Sequence, residues 1–158
     1  MTLFYLACDI LIIFYCVYSW YWQAVIGYRA RFRMSSIIWV LIFFTLGYSM
    51  DYFTAPTPVT NVFVAGVLTM SIIDGVSGLA KKRIVFSGFF KRTLKYSDVA
   101  HITLIAGPNP SKPIVMAVFK TKKQQSYYLR FSKQLGEVIQ ILRQYVGTGV
   151  GIEIRKLI

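Results

Sequence analysis

Few side chains in this sequence are equipped for chemistry, and they do not gather. The single histidine, His101, follows Asp98 by three positions in a stretch that alternates with Ile102 and Leu104. Acid–base catalysis needs a second polar group within hydrogen-bond reach, and the spacing supplies none. Cys8 and Cys16 fall eight residues apart inside one apolar run, so they read as small buried hydrophobes, not as a disulfide or metal pair. Gly147-Thr-Gly-Val-Gly151 lacks the strand–loop–helix setting and the lysine of a phosphate-binding loop. These residues predict a chain that is not an enzyme and needs no cofactor or metal.

The cations are the stronger signal. Residues 1–80 hold three basic and three acidic side chains, whereas residues 81–158 hold fifteen basic and three acidic, so that half carries the full net charge of +12. The division falls at Lys81-Lys82-Arg83. Lys81, Lys82, Arg83, Lys91, Arg92, Lys95, Lys122 and Lys123 are candidates for contact with an anionic surface. Nucleic acid is one partner for such a face, but a preceding membrane segment makes anionic lipid headgroups the nearer one. There each basic side chain contributes about 1 kcal/mol. Positive-inside bias with solvated lysines accounts for the same charges, and both readings stand at this point.

The first half predicts an integral membrane α-helical region over 1–80. Residues 3–26 are apolar and aromatic apart from Asp9 and Gln23, with Tyr18, Trp20, Tyr21, Trp22 and Tyr28 crowding the far end. Trp and Tyr suit the headgroup layer. The run has no basic leader and is too long for a signal peptide, so a retained span is expected. Residues 35–53 form a second apolar run and 59–79 a third, which also carries Asn61, Gly66, Asp74, Gly75 and Gly78. Three spans place Arg29, Arg31 and Arg33 on the same side as Lys81-Lys82-Arg83, with the N-terminus outside and the basic half in the cytoplasm. An ionisable group inside a membrane is a candidate site. Asp74 is expected to pair with the arginine loop or Lys81, and Asp9 to find tyrosine or water near the outer face. Small residues in the third run predict a helix-packing seam.

Beyond residue 81 the pattern becomes alternating. Residues 83–88, 89–96, 99–105, 114–120 and 125–131 read as short strands separated by turns, predicting a small α+β domain built on an antiparallel curled sheet or partial barrel. A helix follows, with Ser132 as N-cap, Leu135, Val138, Ile139, Leu142 and Val146 on one stripe, and Gly147 as its stop. The tail 152–158 alternates again and is expected to add an edge strand or lie on the membrane.

Ile84-Val-Phe-Ser-Gly-Phe-Phe90, followed by Leu94-Lys-Tyr-Ser-Asp-Val-Ala-His-Ile102 and a late hairpin and helix, resembles the opening of bacterial pleckstrin-homology-like (PH-like) domains. The likeness spans about residues 83–146, with fewer strands expected than the full seven. It implies a membrane-anchored module that binds lipid or protein. It also implies one alternative, an immunity protein against a membrane-active bacteriocin. A second alternative rests instead on Asn61, Gly66, Asp74, Gly75 and Gly78 as a helix-packing seam, and is an accessory subunit of a larger membrane assembly, through another membrane protein or self-association.

Overall fold

The computed structural model describes residues 2–52, 57–88, 93–109, 111–147 and 149–156, and divides the chain into two compact units. The first comprises residues 1–24 and 32–76, the second residues 25–31 and 77–158.

Three helices build the first unit: α1 (Thr2–Ala24), α2 (Ser35–Ser49) and α3 (Pro58–Asp74). Free of Pro and Gly, α1 runs unbroken for 23 residues. The next helix ends at the Met50–Tyr52 turn, where Asp51 takes a left-handed φ of 60°. At the start of α3, Thr57 caps the Thr60 N–H at 3.2 Å and Pro58 occupies the first turn, where a missing N–H costs nothing. Among the described residues only Leu3–Ala24 is long and apolar enough to cross a membrane. The 15 and 17 residues of α2 and α3 reach about 22 and 26 Å, short of a hydrocarbon core of about 30 Å. Where hydropathy predicts spans over 35–53 and 59–79, the helices stop earlier, because the chain turns at Asp51 and leaves the helix at Gly75.

Within this unit, burial runs opposite to that of a water-soluble bundle. Tyr5, Asp9, Ile12, Cys16, Ser19 and Gln23 form the shielded stripe of α1, while Leu11, Phe14, Trp20 and Tyr21 point outward. Six of its buried described side chains are polar (Asp9, Ser19, Ser36, Thr60, Ser71 and Asp74), and its buried hydrophobic is Phe44.

Among the described residues the second unit holds eight strands and one α-helix. Strand β1 (Ile26–Arg29) joins β2 (Gly78–Ala80), β3 (Arg83–Val85) and β4 (Thr93–Lys95) in an antiparallel sheet of order β1-β2-β3-β4. A 3-10 turn over Tyr96–Asp98 leads to β5 (Val99–Ala106), β6 (Val115–Thr121) and β7 (Ser126–Phe131). Then come α4 (Leu135–Val146) and β8 (Gly151–Lys156), which runs parallel to β5, giving a second sheet of order β7-β6-β5-β8. Leu79, Ile84 and Leu94 from the first sheet, Ile102, Leu104, Ala117, Phe119 and Leu129 from the second, and Val138 and Leu142 from α4 share one core.

This unit is the predicted α+β domain, with three differences. Its first two strands precede residue 81: β1 comes from the segment read as the interfacial end of the first span, and β2 from the segment read as the end of the third. The strands therefore number eight among the described residues, where fewer than seven are expected. Tyr28, expected at a membrane interface, instead packs its ring 5.8 Å from that of Phe131. Helix α4 begins at Leu135 with Gln134 as N-cap and no side-chain cap bond, so Ser132 does not cap it. Gly147 ends it as expected, at a φ of 78°.

Candidate anion-binding groove

Two chain crossings bring distant cations together. The β3–β4 pairing sets Arg83 opposite Lys95, and the Arg83 guanidinium donates to Thr93 Oγ1 at 3.2 Å. After β4 the chain turns through Asp98, whose backbone carbonyl accepts the Lys122 N–H at 3.0 Å. That bond ties the β6–β7 turn to the β4–β5 corner. The turn is itself closed at both ends: Thr121 N–H donates to the Gln125 carbonyl at 2.8 Å, and Gln125 N–H donates back to Thr121 Oγ1 at 3.1 Å. Gln124 takes the left-handed φ of 62° that the reversal demands. The open groove between this turn and the corner, about 410 Å³, is lined by Arg83, Thr93, Leu94, Lys95, Asp98, Thr121, Lys122, Lys123 and Gln125.

Four of the eight candidate cations, Arg83, Lys95, Lys122 and Lys123, therefore line one cleft although some forty residues separate the first from the last. Lys81 and Lys82 form the exposed two-residue turn between β2 and β3 and are not part of its lining. Lys91 and Arg92 lie outside the described residues. Among the described residues no carboxylate is in ion-pair contact with Lys95, Lys122 or Lys123. The polar lining that charge counting passed over is Thr93, Asp98, Thr121 and Gln125. Its one sequence signal is the Thr121-Lys-Lys-Gln-Gln125 turn. Tyr96, just before the corner, donates its phenol to the Ala80 carbonyl at 2.8 Å, and burial, with Tyr145 adding, holds its pKa well above the ordinary value. It is thus a fixed neutral donor that ties the corner to β2.

The intramembrane candidates do not form one seam. Gly66 packs α3 against α1, where a Cβ would meet Ile12 Cγ2 at 2.9 Å. Gly75 caps α3, and a Cβ there would collide with the Phe32 ring. Gly78 is in β2 instead of a helix, pressed against the Tyr28 carbonyl. Asn61 faces outward on α3. Asp74 is 1% exposed and accepts a 2.7 Å hydrogen bond from Ser36 Oγ, a partner not foreseen from charge alone. Asp9 is 6% exposed, and its Oδ1, like Ser19 Oγ, has no hydrogen-bond partner among the described residues.

His101 on the interior strand β5 reaches the edge strand β8, its Nε2 3.1 Å from Glu153 Oε2, while Arg155 Nε donates to Glu153 Oε1 at 2.8 Å. This exposed trio links β5 to β8. Cys8 and Cys16 are free thiols, and among the described residues no group of His, Cys, Asp and Glu is arranged to hold a metal ion. No protein-family model, curated protein or solved structure matches the chain.

Proposed function

We propose that this chain is a non-catalytic membrane protein whose helices anchor a basic, PH-like α+β domain at the cytoplasmic leaflet, where it binds anionic lipid headgroups. The observation that carries the reading is the inverted burial of the helical unit. Large apolar side chains face outward and polar ones inward, an arrangement that water penalises and lipid favours. Pairing of β1 with β2 adds to it, because residues 26–29 and 78–80 must then lie on one side of any bilayer. With α1 crossing, α2 and α3 leave that side and return to it. Charge agrees in sign: the second unit holds seventeen basic side chains against three acidic, the first one against three. Two sheets covered by α4 support the PH-like likeness.

Two labels on the full chain test this, in a background with Cys8 and Cys16 replaced by Ser. A cysteine at Ser111 should resist a membrane-impermeant thiol reagent in intact cells and react after lysis; reaction in intact cells would turn the domain outward and end the cytoplasmic reading. A polarity-sensitive fluorophore on a cysteine at Ser126, near the groove, should shift in proteoliposomes containing anionic lipid but not in neutral ones. The shift should fade with salt as the Debye length shrinks from about 10 Å at 0.1 M to about 3 Å at 1 M. Identical spectra in both vesicles at low salt would remove headgroup binding.

A further inference from the structure

We infer that the groove between the β4–β5 corner and the β6–β7 turn is a built receptor for a polyol phosphate: a phosphate ester whose neighbouring carbons carry free hydroxyls. The inference rests on the headgroup reading above and narrows it to one chemistry. Charge attraction alone needs only lysines on a surface. This cleft holds more. Its cations come from β3, β4 and the β6–β7 turn, on a frame tied by the Asp98–Lys122 and Thr121–Gln125 backbone bonds. Holding the lysine backbones in place before binding removes part of the ordering cost. The volume of about 410 Å³ lies within the roughly 300–1,000 Å³ of small-molecule sites. At about 30 Å³ per water it has room for a small polar headgroup.

Asp98 decides which headgroup. A carboxylate among four cations lowers affinity for a bare phosphate, since like charges repel. It becomes useful where the ligand brings donors beside its phosphate. An ammonium is one such donor, but it would enter a lining whose net charge is +3. Hydroxyls carry no charge, and they suit the rest of the lining: Thr93 and Thr121 hydroxyls and the Gln125 amide offer both donors and acceptors. The arrangement assigns the phosphate to Lys95, Lys122, Lys123 and Arg83, and the hydroxyls to Asp98 and Gln125. A phosphatidylglycerol headgroup and a soluble glycerol phosphate share this chemistry.

The test uses the full chain in phosphatidylcholine nanodiscs, titrated calorimetrically with glycerophosphoglycerol and, separately, with inorganic phosphate. Glycerophosphoglycerol should bind at least tenfold tighter. Lys122→Gln with Lys123→Gln should weaken both by tenfold or more; both positions are exposed, and an unchanged circular dichroism spectrum checks the fold. Asp98→Asn is the decisive variant: it should weaken glycerophosphoglycerol while leaving inorganic phosphate equal or tighter. Equal binding of the two probes by the wild type, or Asp98→Asn tightening both alike, would overturn the inference. Repeating the titration in nanodiscs containing phosphatidylglycerol separates the sources. Loss of the soluble response means that the lipid fills the site, and an unchanged response means that a soluble ester is its ligand; both support polyol-phosphate recognition. No soluble binding, with anionic proteoliposomes still shifting the Ser126 label, would refute the receptor and leave the charge-driven membrane reading intact.

Discussion

The two units of this chain solve the burial problem in opposite ways. Sixteen hydrophobic and two polar side chains are buried among the described residues of the strand-rich unit, against one hydrophobic and six polar in the helical unit. Each sheet turns one face inward, so apolar contact with the other sheet and α4 excludes water. The helices bring polar groups together and leave Leu, Ile, Phe and Trp outside. In water such an outer surface costs free energy for every apolar group. In lipid it costs nothing, and the polar stripe gains most from being enclosed. The comparison teaches that hydrophobicity alone does not locate a core. Which side of each helix carries it says more about the solvent.

The largest effects should come from exchanging the two solvents. Phe119 is fully buried between the sheets, and Phe119→Ala should cost about 3–5 kcal/mol, read as a lowered denaturant midpoint of the strand-rich unit in detergent-solubilised full chain. Phe14 is 71% exposed near the middle of α1. If lipid surrounds it, Phe14→Arg should cost about 2.5–3.5 kcal/mol of insertion, read as lost membrane fractionation. If water surrounds it, the same change should raise solubility and leave the fold alone. That second result would collapse the comparison.

How much of this was legible in the sequence follows from the range of each signal. Periodicity is local, so the strands at 99–105, 114–120 and 125–131 and the stripe of α4 stood out. Charge density is also local, and it marked the basic half. Non-local pairing left no such trace. Four residues, Ile26–Arg29, are too few to show alternation beside a long apolar helix, yet their partner strand lies some fifty residues on. The same pairing explains the Gly78 error: with β2 pressed on the Tyr28 carbonyl, glycine serves strand approach instead of helix packing. The groove failed to show for the same reason. Arg83 and Lys123 were read as members of one charged face, but only the β3–β4 register and the Asp98–Lys122 bond join them. The third helix reads longer than it is because hydropathy continues through β2, whose three residues are all buried.

An intermediate effect should distinguish the polar interior of the helical unit from ordinary misfit. Ser36 Oγ donates to the buried Asp74 carboxyl, so Ser36→Ala removes one buried hydrogen bond and should destabilise by about 0.5–1.5 kcal/mol. Ser19 is buried without a hydrogen-bond partner among the described residues, so Ser19→Ala removes an unmet polar group and should be neutral or stabilising by about 1 kcal/mol. Thermal unfolding in micelles compares the two. Equal losses would mean that small-residue packing, and not hydrogen bonding, holds the helices.

The smallest effect concerns carboxyl groups on the other side of the comparison. Asp9 and Asp74 are enclosed, whereas Glu153 is exposed on the outer strand β8. Its pKa is lowered first by the hydrogen bond from Arg155 and then by that from His101. A carboxyl depressed in the folded state adds stability that is fully present above its ordinary range and is lost as pH falls through the depressed value. Solvent screening keeps the contribution small, and it acts where β8 meets β5. Acidifying through that window should therefore speed amide exchange in β8 while β6, held on both sides by β5 and β7, stays protected. Glu153→Gln removes the group and should flatten the pH dependence of β8 alone. If β6 loses protection in step with β8, the parallel strand is no independent edge but part of the cooperative core, and the sheet must be treated as one unit down to its last strand.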